Sequence, residues 1–84
     1  MDNQHQIDNQ YIAGKCKRIE TVANNLGFDC NYEPIKILGL DYIRFCFSNN
    51  ETNHYIVHDI SYESITRFTP QQIVNFIINE YKWE

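Results

Sequence analysis

The sequence predicts an α+β domain: a three-stranded antiparallel sheet with one helix before it and one after it, both packed on the same face. Three observations lead there. Apolar residues recur at helical spacing between Asn9 and Leu26. They alternate at strand spacing between Tyr32 and Ile60. The stretch "TPQQIVNFIINEYK" carries a full set of helix-start signals. The strand-like runs follow one another closely, which favours two successive hairpins.

Residues 1–9 read as a flexible polar tail and residues 10–84 as a single domain. In the first helix Ile12, Cys16, Ile19, Ala23 and Leu26 form one apolar stripe, and Asp8 is the expected N-cap. Gly27 then supplies the left-handed residue of a Schellman ending, with Phe28 folding back onto Ala23. Pro34 cannot donate to a ladder, so the first strand belongs at an edge or begins there. Its Ile35 and Ile37 are expected to face the helices, with Tyr32 and Lys36 on the other side. Gly39 marks a turn. Ile43, Phe45 and Phe47 then alternate with Tyr42, Arg44 and Cys46, as in a half-buried strand.

"SNNETN" is a loop by composition, and "HYIVHDI" is a third strand rich in β-branched and aromatic residues. Its direction has two solutions. Either Ile56 and Ile60 face inward and Tyr55, Val57 and Asp59 outward, or the reverse, which turns His54 and His58 outward. "SYESITRF" fits a short strand, a helical turn or a connection. The last helix runs from Pro70 to about Lys82. Thr69 is its N-cap, Pro70 stands at N1, Gln72 closes a capping box, and Phe68 can staple onto Ile73.

Composition narrows the functional classes. In a chain of 84 residues a net charge of −4 argues against sequence-independent nucleic-acid binding, which needs clustered positive charge. The opening "MDNQHQIDNQ" has no secretory pattern, and no apolar run reaches the ~20 residues of a membrane span. The expectation is a cytoplasmic protein with no membrane contact, its Cys16, Cys30 and Cys46 reduced.

His54 and His58 raise the question of a metal. On a helix this spacing would stack the two rings; on a strand it separates them by ~13 Å, too far for one ion. No C-x-x-C pair stands nearby, so neither a metal nor another cofactor is expected. A thiol nucleophile served by His58 and Asp59 is disfavoured as well, because adjacent strand residues face opposite ways. With no phosphate loop or nucleophile elbow in the chain, the expectation is a protein that is not an enzyme.

What remains is surface. Tyr32, Lys36, Tyr42, Arg44, Tyr55 and Asp59 are expected on the open face of the sheet, where tyrosine and arginine suit a partner. Tyr81 and Trp83, at the end of the last helix, form a second candidate contact, suited to a homodimer. "GKCKR" on the first helix is the one basic cluster, Lys15, Lys17 and Arg18.

The α-β-β-β-α order resembles that of double-stranded-RNA-binding domains. Those place lysines at the start of the last helix, where this chain reads "TPQQIVN", so the resemblance is one of topology and RNA binding is not carried over. In size and charge the chain is also similar to small phage and mobile-element inhibitors that cover basic grooves with acidic surface. The reading is therefore a small acidic protein-binding module, an inhibitor of a nucleic-acid-processing enzyme being its sharper form. Nucleic-acid binding through the open sheet or the basic cluster is the alternative.

Overall fold

A computed structural model describes residue 7 and residues 9–80. The elements are α1 (Gln10–Asn25), β1 (Asp29–Ile37), β2 (Leu40–Asn49), β3 (His54–Ser61), α2 (Tyr62–Arg67) and α3 (Pro70–Glu80). The strands form one antiparallel sheet in the order β1-β2-β3. The α+β class holds, with one helix more than the sequence reading counted. Among the described residues no helix is long and apolar enough to cross a membrane.

In α1 the apolar stripe is buried at Ile12, Cys16, Ile19 and Ala23, while Leu26, as C-cap, is half exposed. Asn9, not Asp8, is the N-cap; its side chain accepts from the Ile12 amide at 3.1 Å. The ending is the Schellman arrangement. The Phe28 amide donates to Ala23 O and the Gly27 amide to Asn24 O, each at 3.0 Å, with Gly27 at φ +94°. Ile7, in the segment expected to be a flexible tail, is partly buried against the core.

The β1–β2 hairpin decides which side chains meet the helices. Its turn is Leu38-Gly39, with Ile37 opposite Leu40, and both turn residues have positive φ, 52° and 81°. That is the pattern of a type I′ turn, whose twist matches the strands it joins. The register then sets Cys30 opposite Phe47, Tyr32 opposite Phe45 and Pro34 opposite Ile43. Opposed residues share a face, and Ile43, Phe45 and Phe47 are fully buried. Tyr32 therefore lies on the helix side, its ring 6.0 Å from that of Phe45. This reverses the expected direction of β1: Ile35 and Ile37 fall on the open side.

In β3, Ile56 and Ile60 are buried and Tyr55 and Val57 exposed, the first of the two solutions. The β2–β3 turn is closed by Asn49, whose side-chain oxygen accepts from the amides of Glu51 at 3.0 Å and Thr52 at 3.2 Å.

"SYESITRF" is helical. Ser61 caps α2 by accepting from the Ser64 amide at 3.1 Å, and Ile65 is completely buried. The capping box of α3 is complete, with Gln72 N–H to Thr69 Oγ1 at 3.1 Å and Thr69 N–H to Gln72 Oε1 at 2.9 Å. Ile73, Val74 and Ile77 enter the core.

Candidate functional site

The helices contribute to one core on one side of the sheet, and three rows of outward side chains make the middle of the other side. Asn31, Cys46 and Val57 form the first row, Glu33, Arg44 and Asp59 the second, and Ile35, Tyr42 and Ser61 the third. Tyr55, beyond the first row, is 68% exposed. A shallow hollow of about 210 Å³ lies between Asn31, Glu33, Arg44 and Cys46, with Tyr32 at its border.

The centre of this face is a forked ion pair. Arg44 Nε donates to Asp59 Oδ1 at 2.9 Å and Arg44 Nη2 to Asp59 Oδ2 at 3.2 Å. The register places the two residues directly opposite, so the pair needs no long-range folding of either side chain. The hydrogen bond to Asp59 and then its charge push the Arg44 guanidinium above its ordinary pKa. The planar fork and carboxylate present a flat polar patch. Beside it, a hydrogen bond with Cys46 raises the Tyr55 hydroxyl pKa.

Of the residues expected at a binding face, Tyr42, Arg44, Tyr55 and Asp59 come together there. Tyr32 does not: it belongs to the helix side, and its pKa is raised first by burial. Lys36 has the same parity as Tyr32 and lies near the turn, where its Nζ donates to Asp41 Oδ1 at 2.6 Å. Tyr81 and Trp83 lie outside the described residues. The sequence reading missed Glu33, Ile35 and Ile37 as members of the face. The signal that finds them is the length of the hairpin turn, which fixes the register once β2 is oriented.

The basic cluster on α1 dissolves. Lys15 is buried at 6% exposure, and its ammonium donates to the carbonyl of Ile65 at 2.6 Å, locking α1 to the end of α2. Only Lys17 and Arg18 remain exposed. The acidic side chains are divided too. Asp41 pairs with Lys36, Asp59 with Arg44 and Glu63 with Arg67, on three different parts of the surface. The open face itself carries Asp29, Glu33 and Asp59 against Arg44.

The thiols and histidines do not converge. Cys16 and Cys30 are free and buried, and burial pushes both thiols up to about 12. Cys46 is outward, opposite Val57, whereas His58 is on the helix side, its ring 5.3 Å edge-on from Phe76. The sheet separates that thiol from that imidazole. Among the described residues no group of His, Cys, Asp or Glu is arranged to hold a metal ion.

Compared with known protein families, curated proteins and solved structures, the chain has no significant match.

Proposed function

We propose that the chain is a non-enzymatic protein-binding module whose partner docks on the open face of the sheet. The observation that carries this reading is the grouping of Tyr42, Tyr55, Val57 and Ile35 around the Arg44–Asp59 fork, on a face that no described helix covers. Rigid tyrosines give large contact area at small entropic cost, and arginine and tyrosine recur at binding hot spots.

Charge says what kind of partner fits. Asp29, Glu33 and Asp59 outnumber Arg44 on this face, so the matching surface is cationic overall, with apolar or aromatic side chains to meet Tyr42, Tyr55 and Val57. A nucleic-acid-processing enzyme offers such a surface along its basic groove. Asp41 and Glu63 are taken up in ion pairs with Lys36 and Arg67, away from this face. The alternative of nucleic-acid binding loses support with the burial of Lys15.

The test is capture by the tagged full-length chain from nuclease-treated extract of the source cell, beside a Tyr55→Ala variant. A protein retained by the wild type after nuclease and lost from the variant is the expected result. Retention by both, or a catch that nuclease removes, overturns the reading.

A further inference from the structure

The β1–β2 hairpin ends in an aliphatic knob. Leu38 is 97% exposed and Leu40 62% exposed, and they flank Gly39 at the tip. Leu38 also stands at φ +52°, the left-handed region where asparagine or glycine is at ease and leucine is strained. A polar residue would serve this turn better in isolation. Strain and full exposure coincide at one apolar side chain, which is the pattern of a contact residue.

A receptacle lies elsewhere on the molecule. A cavity of about 310 Å³ opens between β3, α2 and α3, lined by Ile60, Ser64, Phe68, Gln72, Ile73 and Phe76. Phe68 and Phe76 are about half exposed at its walls. Its size admits a leucine side chain with room for part of a second. Its lining residues carry no charge, and the charged residues next to the knob, Lys36 and Asp41, neutralise each other in a 2.6 Å ion pair. Two copies of a chain with net charge −4 can therefore meet here without opposing like charges.

Knob and cavity lie towards the same end of the sheet. Ile60 of the cavity is paired with Ile43, in the strand that leaves the Leu38-Gly39 turn. A two-fold axis near that end would let each copy insert its knob into the other's cavity, closing the interface with both contacts.

We propose that a second copy of this chain is the occupant of this cavity, through reciprocal exchange of the Leu38 knob. Leu38, Leu40, Phe68 and Phe76 together expose roughly 500 Å² per copy, taking ~200 Å² for a fully exposed large side chain. A stable interface needs about 800 Å² per partner, so the dimer is weak and forms only at high protein concentration. This contact is separate from the open face and stands whether or not that face binds a partner.

Sedimentation velocity of the full chain, from about 1 μM to about 1 mM, tests it with two variants. Leu38→Asn suits the left-handed turn and keeps the fold. Phe76→Gln alters a half-exposed wall. Circular dichroism melts check that both fold. The wild type is expected to pass from monomer to dimer across this range, and each variant to dimerise at least tenfold more weakly. Mixing the two variants restores one knob and one intact cavity per pair, so the mixture associates more tightly than either variant alone. A wild type that stays monomeric throughout, a Leu38→Asn variant that dimerises as the wild type does, or a mixture no tighter than its components overturns the proposal. So does a dimer lost through Tyr55→Ala instead, since that places the contact on the open face.

Discussion

Replacing Lys15 by methionine separates a useful buried charge from a costly one. The Lys15 ammonium sits 2.6 Å from the Ile65 carbonyl and 3.5 Å from both the Thr66 carbonyl and the Tyr11 hydroxyl. It also lies 5.4 Å from the centroid of the Tyr11 ring. These carbonyls close the last turn of α2, where helix oxygens lack amide partners and carry partial negative charge. No carboxylate is among these partners, so the ammonium depends on carbonyls and an aromatic ring for what it lost in water.

Methionine keeps most of the stem's volume but removes every donor. The buried Ile65 carbonyl then loses its charged hydrogen bond, which costs about 1.5–3 kcal/mol, partly offset by relief from burying the charge. A net loss of about 2 kcal/mol in this 84-residue chain lowers Tm by roughly 8–16 °C. Urea titration followed by circular dichroism gives the value directly, and the slope should be unchanged if the unfolded state is unaffected. Lys17→Met, on the exposed side of the same helix, is the control and should stay within about 0.5 kcal/mol of wild type. A Lys15→Met protein as stable as wild type, or more so, refutes the reasoning. It would mean that desolvation of the ammonium outweighs its contacts.

Gly27→Ala forces a Cβ into a φ of +94° although there is room for it, the nearest atom being Asn49 Nδ2 at 3.7 Å; a loss of roughly 1–2 kcal/mol in urea is expected, from backbone strain alone. In the native protein at pH 8, a thiol reagent should modify Cys46 well before Cys16 and Cys30, and reach all three only in denaturant; equal rates at the three would contradict the buried positions of two. Those two thiols ionise near 9 in the unfolded chain and at about 12 in the folded one, so the folded state holds the extra protons between these values. Their contribution to stability is complete below about pH 9 and is lost as pH rises towards 12, which urea midpoints measured on alkaline titration will show. A double-mutant cycle on Arg44 and Asp59, 42% and 27% exposed, should give only about 0.2–1 kcal/mol of coupling to stability; several kcal/mol would make the pair a structural brace instead of a recognition patch.

Local signals read well from the sequence. The Thr69-Pro70-Gln72 start of α3 and the Gly27 stop of α1 are written in residues a few positions apart, and the structure forms the bonds those residues imply. The alternation of Ile43, Phe45 and Phe47 was equally plain, because β2 is the central strand and has an unambiguous buried side.

What was lost is what depends on pairing. The direction of β1 looked settled by Ile35 and Ile37, its most apolar residues, yet these sit on the open side while Cys30 and Tyr32 take the core side. Strand hydrophobicity alone ranked the two faces wrongly; the two-residue turn ranks them correctly. Lys15 was lost for a different reason. Its partners lie 50 residues away in α2, and nothing near it in the sequence marks it as buried. At the candidate site, Tyr42, Arg44, Tyr55 and Asp59 were legible as a group because β2 and one solution of β3 place them together.

The measurement that bears most directly on the open face is the affinity of the captured protein partner for single-residue variants. Isothermal titration of purified partner into wild type, Tyr55→Ala and Leu26→Ala compares an exposed tyrosine on that face with a half-exposed leucine at the end of α1. A hot-spot loss of at least about 2 kcal/mol, roughly 30-fold in Kd, is expected for Tyr55→Ala, with Leu26→Ala unchanged. Equal affinity for the wild type and Tyr55→Ala, or a loss confined to Leu26→Ala, would contradict binding through the open face.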